Sequence, residues 1–170
     1  MVVMQPGGIV PEVDIGLHPV SATLLALLGN QRERTAAAFD HLRDDVFIAT
    51  PGHDCKSIQE ITRHLIDLRR FQLTLLGQDE TAKQIPDSSA YDDRTALLNV
   101  LEDAAVRVHS AITMHDGEDW FVRPATPRRG KWGDEPTLHR VIRPLNDFSN
   151  HLGAVRAIRR LLGHPADRTQ

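Results

Sequence analysis

Cysteine is almost missing from this 170-residue chain: Cys55 stands alone. No internal disulfide framework can form, and a lone thiol fits a reducing compartment. Lysine is also scarce, with 3 against 17 arginines, a bias typical of GC-rich bacterial coding and silent about mechanism. Positive charge is not in excess, since the net charge is −3. That excludes the basic field expected of a nucleic-acid or anionic-membrane binder. No apolar run approaches the roughly 20 residues needed to cross a bilayer. The opening MVVMQPGGIVPEV shows no basic stretch followed by an apolar core and small-residue cleavage site, so no secretory signal is expected. These absences describe a cytoplasmic chain with no nucleic-acid or membrane partner. What remains is ordinary: 41% hydrophobic and 25% charged residues, at a length suited to one domain spanning 1–170.

The hydrophobic pattern is helical throughout. Residues 1–18 carry glycine, proline and scattered valine without a period, and are expected to be irregular. From Pro19, a residue suited to a first helical turn, Val20, Leu24, Leu27, Leu28, Thr35, Ala38, Phe39 and Leu42 recur at three- and four-residue steps. This predicts a helix over 19–43. After the breakers Pro51 and Gly52, Ser57 and Glu60 have capping-box spacing. A second helix follows with Ile58, Ile61, Leu65, Leu68, Phe71, Gln72 and Leu75 on one face, ending near Gly77. The connector 78–91 is long for a tight helical hairpin, so simple up-down-up-down order is not required. A third helix over 92–115 turns Leu97, Leu98, Leu101, Ala105, Val108 and Ile112 inward. Residues 116–136, with both tryptophans, form the longest break. The fourth helix covers 137–163 and contains Pro144, a potential kink. The expected class is all-α, a four-helix bundle with a long loop between its last two helices.

One constellation could carry chemistry. His64 lies inside the apolar stripe of the second helix. Asp147 and His151 are four apart, so about 40° separates them around the fourth helix. If those helices are neighbours, His64, Asp147 and His151 can face one another. Two imidazoles and a carboxylate, with open positions left over, suit Zn²⁺, Ni²⁺ or Fe²⁺, and the want of paired cysteines argues against a closed structural zinc site. The bland alternative is a core histidine bonded to a neighbour. His109, His115 and His139 are rival ligands, and Glu60 or Asp67 are potential supporting partners. Cys55, just before a helix N-terminus, has the position of an activated thiol but lacks a defined base, and an incidental cysteine is the simpler expectation. The segment RPATPRRGKW combines basic and aromatic residues, and reads more simply as a solvated or covering loop than as a nucleic-acid contact.

Two segments together resemble the DinB/YfiT-like superfamily. SIQEITRHLIDLRRFQ, from Ser57, looks like that family's second helix, in which a serine-started helix carries a metal-binding histidine at the place of His64. NDFSNHLGAVRAIRRLLG, from Asn146, looks like its final helix, which typically carries HxxxH followed by RGQ. His151 matches the second histidine of that motif. Asp147 stands where the first would be, and Leu152, Gly153 and Ala154 stand where RGQ would be. The resemblance implies a homodimeric metal-dependent enzyme, a transferase, hydrolase or isomerase of a small-molecule substrate that uses a low-molecular-weight thiol such as mycothiol or bacillithiol as cosubstrate. The metal set carried over is His64, Asp147 and His151. Arg63 and Arg156 are candidate contacts to a polar thiol or anionic substrate. The departures leave an alternative: a dimeric helical interaction protein whose metal site is absent or decayed.

Overall fold

The computed structural model describes residues 16–115, 117–123 and 134–166. Most of the irregular segment expected at 1–18, and most of RPATPRRGKW, lie outside these residues. The described residues are helical and contain no strand. Their helices are α1 (Pro19–Phe39), α2 (Asp44–Ile48), α3 (Ile58–Leu75), α4 (Asp79–Lys83), α5 (Arg94–Met114) and α6 (Thr137–Leu161), with short 3₁₀ turns at Ser88–Ala90 and Gly117–Trp120. Among the described residues, no helix is long and apolar enough to cross a membrane.

The helix ends follow from local chemistry. At the start of α3, the Glu60 N–H donates to Ser57 Oγ at 3.1 Å while the Ser57 N–H donates to Glu60 Oε2 at 2.7 Å, closing the capping box. Those bonds hold the Glu60 carboxyl below its ordinary range. At the other end Gly77 adopts φ 77°, and the N–H groups of Gln78 and Gly77 return to the carbonyls of Leu73 and Thr74. Gly163 repeats the arrangement after α6, with φ 71° and returns to Arg159 and Arg160. Both are Schellman ends, where a side chain would strain the left-handed residue.

Helix α1 ends earlier than its apolar pattern suggests, at Phe39, and residues 44–48 form the separate α2. The buried Arg159 side chain accounts for this end. Its guanidinium donates to the carbonyls of Ala38 at 2.7 Å and Asp40 at 2.9 Å, and so satisfies carbonyls that the helix leaves unpaired.

The long helices share one core that includes Leu24 and Leu28 of α1, Leu65 of α3, Leu101 and Val108 of α5, and Leu145 and Leu152 of α6. Trp120, from the expected loop, is fully buried with them, and its indole N–H donates to Ser21 Oγ at 2.9 Å. Two expected inward residues stay outside: Leu27 is 48% and Phe71 43% exposed. Each sits at the border of its helix stripe, beside the fully buried Leu28 and Gln72.

Helices α1 and α3 each pack against both α5 and α6. Cross-links fix the directions. Gln31 of α1 bonds Leu145 of α6, and Arg159 of α6 bonds Ala38 of α1, so these two helices run parallel. Arg140 of α6 donates to the Leu75 carbonyl of α3, while His151 meets His64, so α3 and α6 run antiparallel. The segment 76–93 doubles back along α3. Arg70 donates to the carbonyls of Ile85 and Pro86, Arg63 to that of Tyr91, and Gln59 to that of Asp92. Helix α5 therefore starts beside the start of α3 and runs parallel to it. The long helices go up, down, down, up, and residues 76–93 are the return strap.

Candidate functional site

The antiparallel alignment of α3 and α6 places His64 against His151. Their rings stand edge to face, with centroids 4.5 Å apart and planes at 84°. Both residues are half-buried. Asp147 lies one helical turn before His151 on the exposed flank of α6. The His151 imidazole titrates below its ordinary 6.5, first because burial strips water from the charged form, then because His64 and Lys56 add positive potential; Asp147 opposes them. A neutral imidazole at neutral pH is the form that ligates metal.

The donor chemistry of the pair fits a divalent transition metal. Two imidazoles on one tetrahedral ion, at metal–nitrogen bonds of about 2.1 Å, have ring centroids roughly 5.3 Å apart. The observed 4.5 Å is shorter, so the two rings would have to part slightly to share one ion. A third donor is not drawn in: among the described residues, no group of three or more His, Cys, Asp or Glu is placed to hold a metal ion. The structure thus joins two of the three residues expected from sequence and leaves Asp147 within electrostatic reach of one of them.

The rival candidates have other employment or other places. His109 and His139 are exposed on α5 and α6. His115 packs at a tilt against Trp120 at a centroid distance of 4.2 Å, beyond the end of α5. Glu60 is committed to the capping box, and Asp67 pairs with Arg70 at 3.0 Å. Arg63 holds Tyr91 and Asp92 of the strap, which gives it a structural role. Arg156 is half-buried on α6. Cys55 is exposed, and its neighbour His53 contacts Asp54 at 3.2 Å.

No family model and no curated protein matches the chain. Any function must therefore be argued from its own residues.

A second polar feature escaped the sequence reading. Arg69, one and a half turns after His64, is 1% exposed. Its guanidinium donates to Gln72 Oε1 at 2.8 Å and to Gln31 Oε1 at 3.0 Å, and lies 3.9 Å over the Phe148 ring. Gln31 in turn donates to the Leu145 carbonyl and to Ser149 Oγ. Burial pushes Arg69 down to about 9, which still leaves it charged at neutral pH. The available signal was a polar pair, Arg69 and Gln72, on the buried side of an otherwise apolar helix face.

Proposed function

We propose that the chain is a DinB-like four-helix bundle whose His64–His151 pair is the protein half of a metal site serving thiol-dependent group transfer. The observation that carries this reading is the edge-to-face meeting of these imidazoles, from the same two segments that resemble the family's metal-binding helices. Asp147, four residues before His151, is the carboxylate that would complete the set. When bound, a divalent transition metal supplies Lewis acidity that favours the thiolate form of a small thiol at neutral pH, and thiolate is the nucleophile of S-transfer.

The chain's own residues prepare that role. Burial and the neighbouring charges of His64 and Lys56 keep His151 unprotonated, with its ring nitrogen available. The half-exposed setting of the pair keeps it in contact with solvent. Carboxylate in place of imidazole lowers the net charge of the loaded site and shifts it towards harder metals than an all-histidine set would choose. A homodimer belongs to the same reading and is checked by mass in solution.

A second reading is favoured by a specific observation: Asp147 is exposed and no three-donor group forms among the described residues. On that reading the histidines are a packed contact in a metal-free interaction module. Metal content of protein purified without an affinity tag separates the two. The expected result is about one equivalent of zinc, nickel or iron, lost in His64→Ala, consistent with three protein ligands and an open position. Metal-free wild-type protein that also fails to take up zinc, nickel or iron would overturn the metal site and leave the second reading.

A further inference from the structure

A cavity of about 350 Å³ opens along the seam between α1 and α5. It is bounded by none of the candidate site residues read from the sequence. Phe39, Leu98, Leu101 and Phe148 form apolar wall, and Arg69 reaches it from α3. The charges at its rim are already matched. Arg32 pairs with Glu102, Arg94 with Asp44 at 2.8 Å, and His41 with Asp40 at 3.5 Å. Arg69 differs: it touches two neutral glutamine oxygens and no carboxylate.

A guanidinium carries five N–H groups in a planar fork. In Arg69, Phe148 covers one face, the glutamines take one hydrogen bond from each terminal nitrogen, and the buried Nε–H has no acceptor. A buried cation without an anion is costly, and so is a buried donor without an acceptor. Both deficits would be met by one anionic group in the plane of the fork. The rest of the cavity wall would favour an apolar body attached to that group.

We propose that this cavity binds a small amphipathic carboxylate, with its carboxylate on the Arg69 fork and its hydrocarbon along Phe39, Leu98 and Leu101. Glu102, an acid of the lining whose charge also acts on Arg69, is held by Arg32, which limits its repulsion of a bound anion. The site is separate from the histidine pair and does not depend on a metal there.

Calorimetric titration at pH 7 with octanoate and with the neutral 1-octanol, on chelator-treated protein, tests the proposal. Octanoate should bind once and saturably, at least about tenfold more tightly than octanol, a ratio set by the charge-assisted bond. Arg69→Gln should erase that preference. Ala36→Phe places a ring at the cavity mouth, leaves the Arg69 cluster intact, and should weaken octanoate by a similar factor. Because Ala36 is exposed, this variant keeps the test available if Arg69→Gln does not fold. Absence of octanoate binding, equal binding of the two probes, or full octanoate affinity in Ala36→Phe would each overturn the proposal.

Discussion

Two of the contacts that join α3 to α6 are built on opposite principles. At His64–His151, two imidazole rings meet in a half-exposed setting. At Arg69, a cation that stays charged at neutral pH is held among Gln31, Gln72 and Phe148 at the inner wall of the cavity. The outer pair is suited to exchange protons or ligands with solvent. The inner cluster fixes how α1, α3 and α6 stand relative to one another. Less than two helical turns separate them along α3, so exposure, more than position in the chain, divides a candidate reactive contact from a structural one.

The contrast can be broken most forcefully at the inner cluster. Arg69→Met leaves the Gln31 and Gln72 oxygens without their donor, and should cost about 2–4 kcal/mol of unfolding free energy in urea melts. Combining it with Gln31→Leu and Gln72→Leu removes all three polar partners together, and most of that loss should return. A triple variant no more stable than Arg69→Met would show that the cluster works by packing alone. At the outer pair, His64→Leu should change stability by less than about 1 kcal/mol, because the site is half-exposed and no buried group is orphaned. A loss as large as that of Arg69→Met would erase the distinction drawn here.

The smallest effect is one of titration. In NMR, the His151 midpoint should fall below 6.5 in the metal-free protein. His64→Leu should raise it part of the way back, since burial persists and only the charge neighbour is lost, whereas Asp147→Asn should lower it further. The sign for stability follows from proton linkage. The folded state resists protonating His151 while the unfolded chain does not, so this contribution is fully present above the ordinary value. It is lost as pH falls from there through the depressed folded midpoint.

Local chemistry was legible in the sequence. Pro19, the Ser57–Glu60 pair, Gly77 and Gly163 mark helix ends through bonds that span only a few residues, and the structure places ends there. The apolar stripes of α5 and α6 located the core because a helix period depends on the chain alone. Long-range features were less legible. The end of α1 at Phe39 depends on Arg159, more than a hundred residues away in sequence. The connector's length signalled a non-hairpin link, but its course is set by Arg63 and Arg70 reaching across to it. At the candidate site, spacing placed Asp147 and His151 on one flank of α6, yet a four-residue step leaves one exposed and the other half-buried. Arg69 went unnoticed because arginine is ordinarily a surface residue, and only the approach of Gln31 from α1 makes its burial intelligible.

The return strap has a consequence for how the chain finds its fold. Helices joined by a tight turn can dock as a hairpin as soon as both have formed. Helices α3 and α5 have no such route, because Asp92 must first come back to Gln59, 33 residues away. The entropy of closing that loop is lost before most of the α3–α5 contacts are gained. The hydrogen bonds from Gln59, Arg63 and Arg70 lie along the returning path and can secure it in stages. Assembly of the core thus has a built-in order, in which α3 serves as the template on which the chain is laid back before α5 can dock.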